Sequence, residues 1–338
     1  MLGNYLLKKL KGIDISKYYP LIFIIVFIPV LFQYSFSALE SILYDFRIVY
    51  DWGIKYQDRY VLITLDEESE EFLGESYPYT YSSHEKFLQR LIKDKPAIIN
   101  YFVGLDEPDT LKEKKTQIDF KNAVSKYLRT GGSFRFATDM DSWGEHLPPK
   151  NLRDFGYNLA LINVDNGVFA KDDVSRRALL SISGEESLHL WTANKYLTQK
   201  GEEPIDPGKV QGAYYLREAD ATFAMFRYFT SPLDHKWKIK RIPFHKVAVG
   251  NFPKGFFNNK IVLVGPAYVS NFADYVLTPF NGEDYKSNKL TLHAQIIESL
   301  IQGKTVYPLA KEYSYIIAIL MSLFLSVIIM RFRPTRGL

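Results

Sequence analysis

Two long stretches without a formal charge set the strongest limits on how this chain can be organised. Residues 18–36 read YYPLIFIIVFIPVLFQYSF, and residues 313–330 read YSYIIAILMSLFLSVIIM. Because a helix rises about 1.5 Å per residue, each stretch is long enough to cross most of a hydrocarbon layer of about 30 Å. A buried core helix usually keeps some polar face. The sequence therefore predicts two transmembrane helices, one near each end of the chain.

The distribution of charge predicts the orientation of these helices. Residues 1–36 carry four lysines against one aspartate, and residues 313–338 carry three arginines, so the two ends together account for +6. The whole chain has a net charge of +4, which leaves −2 for the middle. Lysine and arginine mark the cytoplasmic ends of membrane helices. We therefore expect a bacterial inner-membrane protein with cytoplasmic tails at 1–17 and 331–338 and an extracytoplasmic, periplasmic domain at 37–312.

A second interpretation of the first stretch stays open at this point. Its basic start, apolar centre and small residues Ser35 and Ser37 are also typical of a cleaved signal peptide. The apolar part is longer than usual for a signal peptide. A helical pattern also continues beyond it, with Leu39, Ile42 and Leu43 at helical spacing, which favours an uncleaved helix leading into a stalk.

Composition and motifs exclude several functional classes. The chain has no cysteine, so it has no disulfide, thiolate metal site or cysteine nucleophile. Its basic excess lies on the two ends, whereas a nucleic-acid-binding protein carries it on the folded domain. The sequence lacks the Gly-x-Ser-x-Gly, His-Glu-x-x-His and Walker patterns. We therefore predict no catalytic residue, no metal, no cofactor and no nucleic-acid partner.

The region between the two apolar stretches alternates between strand-like and helical patterns. Apolar runs predict strands at 59–66, 96–106, 133–139, 157–165, 221–229 and 260–265. Apolar residues at helical spacing predict helices at 82–94, 118–130, 185–200 and 290–303, and a membrane-proximal stalk from residue 37 towards Gly53. The helix at 82–94 has Ser82 or Ser83 as its expected N-cap. Alternation of this kind predicts an α/β fold with a mostly parallel sheet and flanking helices.

Several segments of this region follow a recognisable order. They are ALESILYDFR (38–47), VLITLDEESEEFLG (61–74), NLALINVDNGVFAK (158–171), FNNKIVLVGPAYVSNFADYVLTPFNGED (257–284) and LHAQIIESLIQG (292–303). Together they resemble the second class of CHASE domains, the extracytoplasmic sensory modules associated with cyclases and histidine kinases. The resemblance implies a sensor of a signal-transduction protein whose output domain lies in a partner or in a further part of the protein.

The sequence departs from the pattern of that family at several positions. Ala170 and Lys171 stand where an arginine is usual, and Asn100 stands where the second strand usually has an aspartate. Gln295 replaces an asparagine, and the glycine usual shortly before His293 is missing. These differences indicate a divergent member, so a ligand of the family need not carry over.

The candidate ligand-binding residues lie at or after predicted strand ends, because ligands of open parallel sheets bind beyond the carboxyl ends of the strands. They are Asp66, Asp106, Asp139, Gly265, Asp274 and Thr278. If the strands are parallel neighbours, the three strand-end carboxylates of Asp66, Asp106 and Asp139 line one crevice. The alternative is that strand-end aspartates cap the loop or helix that follows, which is their commonest use.

Three further residues are candidates for relaying a signal. Asp45 and Arg47 lie two positions apart on the predicted stalk, so they do not face each other and each needs a partner elsewhere. An ion pair with the base of the domain is the simpler role, and a relay of domain motion the more specific one. His293 lies at the start of the last predicted helix, where a packed or capping histidine is more common than a base.

Three functional hypotheses follow. The first is a membrane-anchored sensor that binds a small molecule or an envelope protein, with the lipid bilayer as a partner and a homodimer compatible with the layout. The second is a structural or scaffold subunit of an envelope complex. The third and weakest is an extracytoplasmic hydrolase that uses the strand-end carboxylates.

Overall fold

A computed structural model of the protein describes residues 37–50, 57–141, 144–163, 172–229, 239–280, 287–307, 309 and 311–331. Residues Glu40–Tyr307 form one unit, and Met1–Leu39 together with Pro308–Leu338 form another. The sheets and the candidate site lie in the first of these units.

Six parallel strands form the central sheet. In sheet order they are β12 (Lys240–Pro243), β1 (Tyr60–Leu65), β13 (Ile261–Pro266), β2 (Ile98–Tyr101), β3 (Ser133–Thr138) and β6 (Tyr157–Leu159). Every neighbouring pair in this order is parallel. The strands β1 and β2 are buried along their whole length, as near-continuous apolar strands of a parallel sheet usually are. The predicted α/β fold with a largely parallel sheet is confirmed.

A second sheet is antiparallel, and the sequence patterns did not predict it. Its strands, in order, are β10 (Tyr214–Leu216), β11 (Ala221–Phe226), β8 (Arg177–Ile182) and β7 (Ile162–Asn163). β16 (Thr305–Val306) pairs with β11, and β9 (Glu185–Glu186) pairs with β8. Two small ribbons join β4 (Met140–Asp141) to β5 (Gly144–Glu145) and β14 (Tyr275–Val276) to β15 (Ser287–Asn288).

Most of the helices pack on these sheets and begin at capped ends. They are α1 (Ser37–Val49), α2 (Glu67–Leu73), α3 (Tyr81–Leu91), α4 (Leu111–Arg129), α5 (Leu188–Gln199), α6 (Phe244–Val249), α7 (Lys289–Ile301) and α8 (Lys311–Arg331). Thr110 and Glu113 form a reciprocal capping box at the start of α4. Asn288 caps α7 by accepting a hydrogen bond from the Leu290 backbone N–H.

Apolar residues cover both faces of the central sheet. Along β1, Val61, Ile63 and Leu65 point into a core shared with α3, α4 and α6. The alternate residues Tyr60 and Leu62 point into a second core, shared with α1, α5, α7 and the antiparallel sheet. This alternation follows from the two-residue period of a strand. The stalk helix α1 therefore shares a core with α7.

The structure corrects several predicted element boundaries. The predicted strand at 157–165 is wrong as a single element, because the chain bends after Leu159 and β6 and β7 join different sheets. The predicted N-cap at Ser82 or Ser83 is also wrong, because α3 begins at Tyr81 and the Thr80 side chain accepts from the Ser83 backbone N–H.

Two other predicted elements differ in length. The helix expected at 118–130 begins earlier, at Leu111, since the capping box at Thr110 fixes its start. The strand expected at 96–106 ends at Tyr101, so Asp106 lies in the loop after β2 and does not end a strand.

The predicted stalk is helical from Ser37 to Val49, and Gly53 lies outside the described residues. The same holds for the predicted first span at 18–36 and the tail before it. Among the residues that the structure describes, no helix is both long enough and apolar enough to cross a membrane.

Candidate functional site

A cleft of about 500 Å³ lies at the carboxyl edge of the central sheet. Its walls come from the loop after β2, the end of β3, the bend after β6, Pro266 of β13 and the first turn of α7. Ligands of open parallel sheets bind at this edge, and the volume is typical of a small-molecule site. A depression of similar size, about 550 Å³, lies between α3 and α4 and includes none of the predicted site residues.

A close backbone approach at Gly265 shapes one wall of the cleft. A Cβ atom at this position would lie 2.8 Å from the Cβ of Phe102 and 2.9 Å from the Cδ2 of Leu290, both of which line the cleft. Such distances are too short for any side chain to be accommodated without movement. The glycine therefore lets α7 and the loop after β2 pack tightly against β13.

Two stacked histidines lie beside the cleft. The Nε2 atom of His189 is 2.8 Å from the Nδ1 atom of His293, and the ring of His293 also packs on Phe102 with 4.3 Å between ring centroids. Burial lowers the pKa of His189 to about 3 and holds the pKa of His293 well below its usual range. Both rings are therefore neutral at pH 7. His293 lines the cleft, while His189 lies behind it in α5.

Two predicted ligand-binding aspartates line the cleft, but they differ in burial and in their hydrogen bonds. Asp274 is buried, and its carboxylate accepts hydrogen bonds from the Tyr268 backbone N–H and from the Asn271 side chain. Burial raises the pKa of Asp274 above its usual range. Asp139 is exposed, and its Oδ1 accepts from the Met140 backbone N–H. Asp274 therefore holds its own loop, while Asp139 is accessible from solvent.

The other predicted ligand-binding residues lie outside the lining of the cleft. Asp66 caps α2, accepting from both the backbone N–H and the hydroxyl of Ser69. Asp106 is exposed in the loop after β2, and Thr278 is buried beyond β14. The structure thus does not bring the three strand-end carboxylates into one crevice, and the roles of these residues in ligand binding stay predictions.

Among the described residues, no group of histidines and carboxylates has the geometry of a metal site. Two of the positions at which the sequence departs from the family pattern are buried and hydrogen-bonded. The Asn100 amide donates to the Thr192 hydroxyl at 2.8 Å, and the Gln295 side chain accepts from the Phe229 backbone N–H at 2.9 Å. Ala170 and Lys171 lie outside the described residues.

A buried arginine links the stalk helix α1 to the antiparallel sheet. The fully buried guanidinium of Arg176 donates to both carboxylate oxygens of Asp45, with Nε–Oδ1 at 2.8 Å and Nη2–Oδ2 at 2.6 Å. It also donates to both oxygens of Asp172, at 3.0 and 2.6 Å. Burial alone would lower the pKa of Arg176, but these hydrogen bonds outweigh it and raise the pKa above its ordinary value. The bond to Arg176 in turn lowers the pKa of Asp172.

This arrangement gives Asp45 a defined partner, whereas Arg47 is exposed on the same helix. Whether Asp45, Arg47 and His293 relay a signal stays a prediction. Sequence reasoning missed Arg176 and Lys289. The spacing of Asp172 and Arg176 was a local signal for an ion pair, but the partner on α1 is 131 residues away in sequence.

One hydrogen-bonded path runs from the cleft to α1. The first turn of α7 lines the cleft, and near the end of the same helix the Ser299 hydroxyl accepts from the Arg227 backbone N–H at 3.0 Å. The neighbouring residue, Phe226 at the end of β11, accepts a hydrogen bond from the Tyr44 hydroxyl of α1 through its backbone carbonyl. These two hydrogen bonds connect α7 with the stalk helix through the end of β11.

Comparison with known proteins identifies the family of the chain. The family model described as "CHASE2 domain" matches residues 22–328, which is most of the sequence. No curated protein and no solved structure matches the chain. CHASE2 domains are extracellular sensory domains of signalling proteins. The resemblance predicted from the sequence is confirmed: the chain belongs to the CHASE2 domain family.

Proposed function

We propose that this protein is the membrane-anchored, extracytoplasmic sensor of a bacterial signal-transduction system. A ligand bound in the cleft at the carboxyl edge of the central sheet changes the packing of α7. The change reaches α1 and the terminal segments, and a partner or a further output domain then reads it.

The path from α7 through the end of β11 to α1 is the observation that carries this proposal. α7 contributes Lys289, Leu290 and His293 to the cleft at one end and Ser299 to the path at the other. A ligand can shift an equilibrium only through contacts that differ between two states. α7 lines the cleft and also contacts the path to α1. A ligand whose contacts with α7 differ between two packings of this helix would therefore favour one of them.

The ion pair between Asp45 and Arg176 supports the same role. It fastens α1 to the residues preceding β8, so α1 is held to the folded unit by a charge pair as well as by apolar packing. α1 follows directly on the apolar stretch at 18–36. Movement of the folded unit relative to that stretch would therefore have to pass through α1.

The proposed anchoring rests mainly on the sequence, that is, on the uncharged stretches at 18–36 and 313–330 and the basic residues at their outer ends. Large apolar side chains on several faces of α8 are also exposed, among them Ile316, Leu320, Met321 and Phe324. Exposed apolar surface of this kind marks a membrane or protein contact.

Cysteine labelling tests this location and topology. The chain has no cysteine, so a single Glu203→Cys substitution in the exposed loop after α5 gives one reactive site in the predicted extracytoplasmic domain. Lys8→Cys gives one in the predicted cytoplasmic tail. A membrane-impermeant maleimide added to intact spheroplasts should label the Glu203→Cys protein and leave the Lys8→Cys protein unlabelled until lysis. Labelling of both proteins only after lysis would contradict the extracytoplasmic sensor.

A further inference from the structure

The charges in the cleft indicate what class of ligand it accepts, an inference that rests on the cleft being the sensory site proposed above. Lys289, the first residue of α7, lines the cleft, and its positive charge lowers the pKa of Asp274, against the larger effect of burial. The carboxylate of Asp274, in the same cleft, is already held by the Tyr268 backbone and Asn271. Lys289 donates no hydrogen bond to a carboxylate of the described residues, so its ammonium group is available to a negatively charged group of a ligand.

The histidine pair adds a hydrogen-bond donor to the cleft, and the ring nitrogen that carries its proton can be assigned. Each neutral imidazole carries one proton, and one proton lies between His189 Nε2 and His293 Nδ1. The Nδ1 atom of His189 is buried and has no partner among the described residues. If that atom carried a proton it would be an unpaired buried donor, which is rarer in proteins than an unpaired acceptor. The favoured tautomers therefore place the protons on Nε2 of both rings, so His293 presents an N–H group to the cleft.

The opposite charge is also present in the cleft. Asp139 follows β3 at the mouth, and its carboxylate is exposed and makes only a backbone hydrogen bond with Met140 among the described residues. One ammonium and one carboxylate are thus both available to a ligand. Groups of both signs therefore line the cleft, which favours a ligand that carries both a negative and a positive charge.

Apolar surface forms much of the remaining wall. Phe102, Leu290, Ile162 and Ala160 all line the cleft. Of these, Ala160 and Leu290 are buried and the other two are half-buried. Small-molecule sites typically combine such apolar walls with a few polar groups that fix orientation. A ligand that fits this cleft has an apolar portion in addition to its charged groups.

We propose that the cleft binds a small zwitterion of the amino-acid class with an apolar side chain. Lys289 and the Nε2–H of His293 bind its carboxylate, Asp139 binds its ammonium group, and Phe102 and Leu290 contact the side chain. No covalent step is involved.

Calorimetry on the full chain in lipid nanodiscs tests this class directly. The probes are the apolar L-amino acids, represented by L-leucine and L-phenylalanine. Each is compared with its deaminated acid (4-methylpentanoate or 3-phenylpropanoate) and its decarboxylated amine (3-methylbutylamine or 2-phenylethylamine). We expect at least one of the amino acids to bind, and both of its analogues to bind about ten-fold or more weakly, because each lacks one charge-assisted contact.

Matched substitutions assign the two contacts. Lys289→Met should weaken binding of the amino acid by about 10- to 100-fold and should not weaken binding of the amine, which makes no contact that needs the lysine. Asp139→Asn should weaken amino-acid binding and should not weaken binding of the deaminated acid. Lys114→Met and Asp119→Asn, on the exposed face of α4, are the controls and should alter neither.

The possible outcomes separate this inference from the sensory role itself. Binding of the acids or of the amines as tightly as the amino acids would overturn the proposal of a zwitterionic ligand. Amino-acid binding that Lys289→Met and Asp139→Asn leave intact would overturn it as well. Absence of binding by every probe would overturn the ligand class as well. None of these outcomes bears on the topology tested by cysteine labelling, so failure of the ligand class and failure of the sensor are distinguishable.

Discussion

Removing the charge of Asp45 should loosen the stalk helix and lower the stability of the folded unit. In the Asp45→Asn variant Arg176 keeps Asp172 as a partner but loses a paired carboxylate at 2.8 and 2.6 Å. Hydrogen bonds to charged groups contribute about 1.5–3 kcal/mol, against about 0.5–1.5 kcal/mol for neutral ones. The asparagine retains one neutral acceptor, and a quarter of the Asp45 side chain is exposed, which reduces the effect. We expect the free energy of unfolding to fall by ~2 kcal/mol.

Thermal unfolding of the full chain in detergent measures this change. For a domain of this size ~2 kcal/mol corresponds to a fall of about 4–8 °C in melting temperature. Asp58→Asn is the matched control, because Asp58 also pairs with two lysines, Lys240 and Lys260, but is half exposed. Exposed pairs contribute about 1 kcal/mol or less, so the control should melt close to the unsubstituted protein.

Amide hydrogen exchange shows which helices and strands the Asp45→Asn substitution destabilises. Amides of α1 should exchange faster in the Asp45→Asn variant, while those of β1 and β13 should not change, because the lost ion pair joins α1 to the residue before β8 and not to these strands. A melting temperature equal to that of the unsubstituted protein, or a loss no larger than in Asp58→Asn, would refute the conclusion that the buried pair holds α1 in place.

Three further predictions concern packing, pH and capping. Gly265→Ala should lower the free energy of unfolding by about 1–3 kcal/mol, because the new Cβ would overlap Phe102. A melting temperature equal to that of the unsubstituted protein would show that Phe102 and Leu290 move aside without a cost in stability. Burial lowers the pKa of His84 to about 4 and of His189 to about 3, so below pH ~6.5 the unfolded chain binds protons that the folded chain does not. Stability should therefore fall as pH drops below ~6.5, by up to ~1.4 kcal/mol per pH unit for each histidine, and melting temperatures that stay constant down to about pH 5 would contradict this. Thr110→Ala should cost about 1 kcal/mol through loss of the capping box, measured by denaturant unfolding, and no loss would mean that packing alone fixes the start of α4.

Local sequence patterns predicted five of the six strands of the central sheet and missed β12. The strands β1 and β13 are apolar runs, and the helical patterns between strands predict parallel crossovers. The position of the cleft also followed from this pattern, because a parallel sheet binds ligands at its carboxyl edge. Asp139 and Asp274 were predicted from their places after strands, and both line the cleft.

Long-range pairing set the limit of these predictions. The segment 157–165 has one continuous apolar pattern, yet its two halves join different sheets, and that choice depends on strands β3 and β8 elsewhere in the chain. Arginine is usually a surface residue, and the carboxylates of Asp45 on α1 and of Asp172 stabilise Arg176 in its buried position. His189 and His293 meet across 104 residues, so neither spacing nor periodicity could pair them.

The central claim is that the cleft is coupled to α1. A chemical group attached covalently inside the cleft tests this coupling without any ligand. Ala137→Cys places a single thiol in the cleft of a chain that has no other, and N-ethylmaleimide then fills part of the cleft. The control is Lys114→Cys, on the exposed face of α4, treated with the same reagent. Deuterium uptake should change in both α7 and α1 after modification in the cleft, and in neither after modification of the control. Changed uptake in α7 with unchanged uptake in α1 would contradict the coupling.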